Sequence, residues 1–466
     1  MFQKICTVPK VVNSIVVIWL LPGEMRRIIN KIIWTRFPRE SRMGPSLKHL
    51  PSADELRDLK IFYIMGSHAY DFIHDTKDPA PELQDLSLYG EMPSLIGEDG
   101  CPASQFTVSA NIFGGIVPKL CRLALHNIAI SADSPLLMAN LTHLDLGRYC
   151  KSGCPRSFSL PVLLDVLRRM PYLQSLQAGD ILTEPADASS LETYLGRIPE
   201  VHLPNLKFLR IESPWILNYR GLLRQLSLQN ESLRLHMGTS VQSFEDMDEP
   251  LLPPYIVSVD SQALPIRTLR VESHEPRQFV ISGWCTPEDD LSDPPFFGSL
   301  FSADIQLLGS SNTEGISSLL SQLPIHMVET LCIDWSSYKG HNPIDWSPIL
   351  QSMGRLERII ITKFYFDHVS EVLLNTLAGP ANDISGSSSL LCPQLTALSF
   401  PWMKDSQSPE KASAFFKVLA DTVQTRLKHG SKLEELVMGK EQLLCGHDAG
   451  LKVLRERAGR KCSDGK

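Results

Sequence analysis

Two clusters of potential metal ligands are the first candidates for chemistry in this sequence. The first combines His143 with Cys150 and Cys154, in a loop-like stretch that follows a leucine-rich segment. Histidine and cysteine are the usual ligands of zinc, but a zinc site takes four of them, commonly with closer cysteine pairs, and no second pair lies near. A loop with free thiols is therefore the favoured interpretation, and we expect neither a metal nor another cofactor.

The second cluster places His68, Asp71, His74 and Asp75 within eight residues. On a helix these side chains could share one face, although a solvated polar face explains the same spacing more simply. The sequence also has no glycine-rich phosphate loop, no His-Glu-x-x-His and no Gly-x-Ser-x-Gly. We therefore predict that the protein is not an enzyme, and an enzyme with an unfamiliar site is the remote alternative.

Basic residues at strand-like positions form a third candidate site. The whole chain is acidic, with 45 Lys+Arg against 52 Asp+Glu and a formal net charge of −7, which argues against nucleic acid as a partner. Its middle part is nevertheless locally basic, at Arg122, Lys207, Arg210, Arg267 and Arg270.

Arginine side chains can bind carboxylates and phosphates in two-pronged fashion. These five residues therefore predict a binding surface for an acidic or phosphorylated segment of a protein partner. In the alternative interpretation they are solvated strand residues whose charge is balanced by the chain's own Glu212 and Glu272.

A leucine repeat is the element that would position these side chains. The chain contains 66 leucines, and the pattern Leu-x-x-Leu-x-Leu recurs with conservative swaps. Eleven copies begin at residues 56, 83, 120, 141, 173, 206, 266, 328, 356, 395 and 433. Two weaker strands near 233–235 and 300–305 complete an array of units that are about 31 residues long, which is typical of repeat proteins.

Helical segments lie between several of these copies. Residues 161–170, 316–323 and 369–377 have apolar side chains at helical spacing, and each segment is followed by proline or glycine. The fold class is therefore predicted to be α/β, as a leucine-rich-repeat solenoid: a horseshoe with short parallel strands on the concave side and helices on the convex side. A doubly wound enzyme would instead have Val/Ile-rich strands and a glycine-rich phosphate turn.

The predicted domain organisation is one array rather than several independent cores. The solenoid is expected over residues 51–445, with loop excursions at 238–261, 283–298 and 379–389, where Pro, Gly or acidic residues concentrate. A polar C-terminal tail is expected at 446–466.

Residues 1–50 are predicted to form a short helical segment. Its apolar run at 11–21 is shorter than the roughly 20 residues that a membrane-spanning helix needs, and no signal-peptide cleavage site follows. The ten cysteines are scattered rather than clustered, which indicates a reducing compartment. We therefore expect a cytoplasmic or nuclear protein with no membrane partner.

Several segments together resemble fungal F-box proteins with irregular leucine-rich repeats. The resemblance is carried by FGGIVPKLCRLALHN at 113–127, NLTHLDL at 140–146, LLDVLRRMPYLQSL at 163–176 and VHLPNLKFLRI at 201–211. It is close over about residues 80–235 and looser from there to about 440. In that family an N-terminal F-box of helices docks on the Skp adaptor of a cullin-type ubiquitin ligase, and the repeats recruit the substrate.

The segment LPGEMRRIINKII at 21–33 resembles the opening of an F-box. By that resemblance the candidate adaptor-binding residues are Leu21, Pro22, Glu24, Ile28 and Ile32. The second helical stretch with its Cys-Arg-x-Trp-like segment is missing, because the chain continues as WTRFPRESR at 34–42. The F-box is therefore degenerate or lost, or else residues 11–33 are simply an apolar helix that caps the solenoid.

The expected function is protein–protein recognition. The resemblance implies an F-box-like substrate receptor of a cullin-type ubiquitin ligase, or a decayed relative of one, that binds its partner on the concave repeat face. The alternative is a leucine-rich-repeat interaction scaffold with no role in ubiquitin ligation.

Overall fold

The computed structural model places most of the repeat array and describes it in segments. These are residues 4–6, 14–18, 58–64, 77–90, 107–138, 140–147, 158–184, 195–227, 233–241, 266–275, 278–285, 301–307, 320, 323–334, 344–362, 368–379, 390–401, 409–431, 433–438 and 463–464. Within them the chain is α/β, with mostly parallel strands, five α-helices and no closed barrel. The chain divides into two compact units, Met1–Ser213 with Leu217–Asn230, and Pro214–Ile216 with Glu231–Lys466.

The first unit contains a run of parallel strands. Its strands are β1 (Lys4–Cys6), β2 (Ser14–Ile18), β3 (Asp58–Ile64), β4 (Asp85–Gly90), β5 (Arg122–His126), β6 (His143–Gly147), β7 (Ser175–Gly179), β8 (Val201–His202), β9 (Phe208–Ser213) and β10 (Leu226–Ser227). Strands β2 to β7 pair in parallel in chain order, and β9 follows β7. Strand β1 is antiparallel to β2, and β8 pairs separately with β10. Its helices are α1 (Leu160–Arg168) and nearly all of α2 (Ile216–Gln225).

The second unit combines parallel strands with an antiparallel insertion. Its strands are β11 (Arg234–Val241), β12 (Thr268–Glu275), β13 (Gln278–Trp284), β14 (Phe301–Leu307), β15 (Thr330–Asp334), β16 (Arg358–Thr362), β17 (Ala397–Phe400), β18 (Glu435–Met438) and β19 (Ser463–Asp464). Strand β12 pairs in parallel with β15, and β15 to β19 continue in parallel. Strand β13 is antiparallel to both β12 and β14, and β14 is parallel to β11. The helices are α3 (Trp346–Ser352), α4 (His368–Ala378) and α5 (Pro409–Lys428).

The α/β class and the parallel repeat strands are confirmed. Each of the eleven Leu-x-x-Leu-x-Leu copies starts a strand two residues after its first apolar position, from Asp58 in the first copy to Glu435 in the last. The predicted helices at 161–170 and 369–377 correspond to α1 and α4. The horseshoe shape stays a prediction.

The N-terminal segment differs from its predicted helix. Residues Lys4–Cys6 and Ser14–Ile18 are strands, and β2 (SIVVI) is rich in β-branched side chains, which favour extended backbone. The predicted excursion at 238–261 starts inside β11, and the one at 283–298 starts at the end of β13. Beyond these first residues both excursions lie outside the described residues, as do 380–389.

A tight turn precedes most of the repeat strands. In seven repeats the N–H of the first leucine-type residue donates to the carbonyl three residues earlier, as from Leu173 to Met170 at 3.1 Å and from Leu206 to Leu203 at 3.2 Å. Five of these turns have proline at the second position, namely Pro81, Pro118, Pro171, Pro204 and Pro393. Proline fixes the φ angle that this position requires. The repeat is therefore longer than the leucine pattern, and reads apolar-Pro-x-Leu-x-x-Leu-x-Leu in its fullest form.

One backbone carbonyl joins each repeat to the next. The residue after the first leucine accepts hydrogen bonds from two successive N–H groups of the following repeat, as Gln174 does from Lys207 at 2.8 Å and Phe208 at 3.0 Å. We call it the junction carbonyl. It recurs at Gln84, Cys121, Thr142 and Gln174 in the first unit, and at Arg267, Glu329, Glu357 and Thr396 in the second. Because each contact fixes where the next strand starts, the strands stay in register.

The register stacks the leucines into a ladder. Side chains alternate between the two faces of a strand, so the second and fourth positions of every repeat strand point the same way. In the first unit the second positions are paired across neighbouring strands and are at most 2% exposed, at Leu59, Leu86, Leu123, Leu144, Leu176 and Leu209. The apolar core of the unit therefore lies against this one face of the sheet.

Arg426 holds the helical side of the second unit together. It lies in α5, is fully buried, and donates to the carbonyl oxygens of Leu377 at 3.2 Å, Leu391 at 2.9 Å and Cys392 at 2.7 Å, and to Ser431 Oγ at 2.9 Å. Leu377 is in the last turn of α4, where carbonyls lack helical partners, and Cys392 starts the turn before β17. Burial lowers the pKa of Arg426, but a guanidinium stays protonated in proteins, so the charge is solvated by these oxygens.

Replacing Arg426 with methionine is expected to destabilise the second unit by about 3 kcal/mol or more, because four buried oxygens lose their donors. Urea unfolding followed by circular dichroism measures this loss. The matched control is Lys417→Met on the exposed side of the same helix, which should change stability by no more than about 0.5 kcal/mol. Equal effects of the two substitutions would show that Arg426 does not have this role.

Candidate functional site

The face of the first unit opposite the leucine ladder is the candidate site. It is formed by the first, third and fifth positions of β4 to β7 and β9, which alternate with the buried leucines. These positions are Asp85, Ser87, Tyr89, Arg122, Ala124, His126, His143, Asp145, Gly147, Ser175, Gln177, Gly179, Phe208, Arg210 and Glu212. We call this surface the open face, because most of its side chains are half-buried or exposed.

The corresponding face of the second unit is closed over β12, β15 and β16. Every residue of β15 is buried, and its third position, Cys332, is fully buried beside Ile360 on the face opposite the core leucines. Asp334 and Thr362 at the next positions are buried as well. A partner can therefore reach the strand side chains of the first unit more readily than those of these three strands.

Arg270, one of the predicted partner-binding residues, is paired within the chain. Its side chain is only 11% exposed, and it is paired with Glu272 and, at 3.6 Å, with Asp334. A buried guanidinium held by two carboxylates is a structural group rather than a free contact for a partner. Arg267 immediately precedes the same strand, and its guanidinium is 3.8 Å from the carboxylate of Glu329.

Arg122 lies on the open face and is also paired. Its Nε and Nη2 both donate to the carboxylate of Asp85, the register neighbour on β4, while the arginine side chain stays 57% exposed. His143, its register neighbour on β6, has its pKa lowered by burial and then by the Arg122 guanidinium. Both effects favour the neutral form of the imidazole.

Arg210 and Lys207 complete the predicted set. Arg210 donates from Nε to Glu212 Oε1 at 2.7 Å and from Nη2 to the same oxygen. Lys207 is exposed just before β9. The structure thus places Arg122, Lys207 and Arg210 in the first unit and the other two residues in the second. The Arg210–Glu212 and Arg270–Glu272 pairs favour the interpretation in which the chain's own acids balance the strand arginines.

Sequence reasoning missed a histidine–carboxylate pair on the open face. His126 Nε2 lies 3.1 Å from Asp145 Oδ2, and the His126 ring stacks on Tyr89 with ring centroids 4.8 Å apart. The two partners lie on adjacent strands, one register row apart, so only the pairing of β5 with β6 brings them together. Aligning the third and fifth positions of successive copies would have been the signal to follow.

The other predicted ligand clusters fall largely beyond the described residues. His143 is on the open face, but Cys150 and Cys154 lie outside, as do His68, Asp71, His74 and Asp75. The candidate adaptor-binding residues also lie outside: Leu21, Pro22, Glu24, Ile28 and Ile32. Within the described segments, no three His, Cys, Asp or Glu side chains are grouped as a metal site would need.

Among the described helices, none combines the length and the apolar character that crossing a bilayer requires. No protein-family model matches the sequence, and no curated protein is significantly similar to it.

The closed face of the second unit predicts an unreactive thiol at Cys332. Burial raises its pKa from the ordinary 9.0 to about 12, which lowers the thiolate fraction near neutral pH about a thousandfold. Peptide-resolved alkylation with iodoacetamide at pH 8 should therefore label Cys332 far more slowly than the half-buried Cys285. Equal labelling rates in the folded protein would contradict a closed face, and urea should abolish the difference.

Proposed function

We propose that this protein is a recognition scaffold that binds a protein partner on the open face of its first unit. The observation that carries the proposal is the arrangement of that face, with three rows of mostly polar residues held in register over five strands. Neighbouring strands are about 4.8 Å apart, so the face is about 20 Å across, a size suited to a peptide segment or loop.

Fixed charges favour recognition as the role of this face. Asp85 pairs with Arg122, Asp145 with His126, and Glu212 with Arg210. Paired side chains lose less conformational freedom when a partner binds, because they are already held in place. A fixed pattern of charge selects partners by complementarity more than it adds affinity.

We further propose that the chain is an F-box-like substrate receptor of a cullin-type ubiquitin ligase, or a decayed relative of one. Support comes from the resemblance of residues 80–235 and of LPGEMRRIINKII at 21–33 to that group of proteins. The leucine-rich-repeat solenoid and a cytoplasmic or nuclear location belong to the same proposal. A scaffold with no ligase role is the alternative.

The open face is tested by placing bulk and charge on it. We expect the full-length double variant Ser87→Arg and Gln177→Arg to lose the proteins that the wild-type chain captures, because both positions lie amid the polar rows. Quantitative mass spectrometry of captured proteins measures this loss. Tyr172→Arg, at a 57% exposed site outside the face, is the control and should keep those proteins. Capture that is unchanged by the double variant would contradict the proposed face.

The ligase role is tested separately with purified Skp adaptor. We expect the full-length chain to form a complex with the adaptor on gel filtration, and Ile28→Lys with Ile32→Lys to abolish it, since apolar residues of the F-box opening would be lost. The open-face double variant is the control and should retain the adaptor. A wild-type chain that does not bind the adaptor would leave the scaffold alternative.

A further inference from the structure

Exposed apolar side chains are concentrated in the segments that connect the strands β4 to β7. Four large apolar side chains of the described residues are at least 36% exposed, namely Ile116, Met138, Val162 and Tyr172. All four belong to three successive repeats of the first unit. Single exposed apolar residues are ordinary on a protein surface, whereas a connected group of them marks an interaction site.

Ile116 and Met138 lie on segments that pack against each other. A Cβ at Gly115 would lie 3.2 Å from Pro135 Cγ, so the turn before Ile116 contacts the start of the short helical turn that Met138 ends. The Ile116 carbonyl accepts a hydrogen bond from the N–H of Ala80 at 3.2 Å. The backbone that carries Ile116 is therefore held in place, although its side chain is 52% exposed.

Arg169 connects Met138 to α1. Its guanidinium donates from Nη1 to Met138 Sδ at 2.9 Å, from Nη2 to the Ala132 carbonyl at 3.0 Å and from Nε to the Asp165 carbonyl at 3.2 Å. Val162 lies two helical turns before Arg169, so both are on the same side of α1. The surface from Ile116 through Met138 to Val162 is therefore connected through this arginine.

One cation and one anion on this surface have no ion pair within the described residues. Arg169 has none, because the carboxylate of the nearby Asp165 is paired with Arg168. A guanidinium has five N–H donors, so two remain for a carboxylate. The exposed carboxylate of Asp133 also has no ion pair and accepts no hydrogen bond, although it follows Ala132, whose carbonyl accepts from Arg169.

We propose that this surface binds a second copy of the chain in a two-fold symmetric contact. We call it the outer patch, and it consists of Ile116, Asp133, Met138, Val162 and Arg169. In such a contact the same surface lies on both sides, so every interaction is made twice. Arg169 of each copy would pair with Asp133 of the other, and the apolar side chains would pack between the two ion pairs.

The charges of the outer patch favour a second copy over a different partner. An unpaired cation beside an unpaired anion complements itself when the patch is rotated by half a turn, whereas a purely acidic or purely basic segment would satisfy one charge and be repelled by the other. Methionine and arginine are also enriched in interface cores. The outer patch shares no residue with the open face, so this dimer and the proposed recognition function are tested independently.

Sedimentation velocity of the purified full-length chain tests the dimer. The wild type is expected to sediment with twice the 52.1 kDa mass of one chain. Asp133→Arg and Arg169→Glu should each weaken dimerisation about tenfold or more, because each places like charges against each other at both contacts. The matched control is Lys207→Glu, an exposed charge reversal in the same unit but outside the outer patch, which should dimerise as the wild type does.

Mixing the two charge-reversal variants separates a direct contact from damage to the fold. In a dimer of one Asp133→Arg chain with one Arg169→Glu chain, opposite charges meet again at both contacts, so the mixture should dimerise although neither variant does so alone. A wild-type chain that stays monomeric throughout the micromolar range would overturn the proposal. It would also be overturned if both single variants dimerised as the wild type does, or if their mixture stayed monomeric.

Discussion

The junction carbonyl is the contact on which the rest of this structure depends. In four successive repeats of each unit it accepts two N–H groups of the next repeat, so each of those strands starts at the same level as the strand before it. A shift of one residue would turn every leucine of a strand to the opposite face. The contact therefore keeps Leu144 beside Leu123 and Leu176 in the core, and by the same register it keeps polar side chains on the other face.

Strand register also determines which side chains lie next to each other on the open face. Asp85 meets Arg122, and Asp145 meets His126, because they stand on adjacent strands at matching or next rows. The glycines at 147 and 179 fall in one row for the same reason, and the side chains of His126 and Glu212 occupy the space beside them. Each repeat thus contributes only one to three side chains, and the surface exists only where several repeats stack.

The features that could be predicted from the sequence are those that depend on residues close together in the chain. Alternating leucines and a preceding proline are local signals, and each of the eleven copies forms a strand. Strand β13 (QFVISGW) was not expected, because it lacks the leucine pattern and takes its place through antiparallel pairing with β12 and β14. The ion pair between Arg210 and Glu212 could be predicted, since the two residues are neighbours on one face of a strand. The pairing of Arg270 with Asp334 could not, because Asp334 lies on β15 and only the pairing of β12 with β15 brings the two together.

The central claim is that a protein partner binds the open face of the first unit. Hydroxyl-radical footprinting of the full-length chain, with and without its captured partner, tests it most directly. We expect oxidation of Tyr89, His143 and Phe208 to fall when the partner is bound, while Tyr172, which is outside the face, is oxidised as before. Protection of Tyr172 with no change at Tyr89, His143 and Phe208 would contradict the claim.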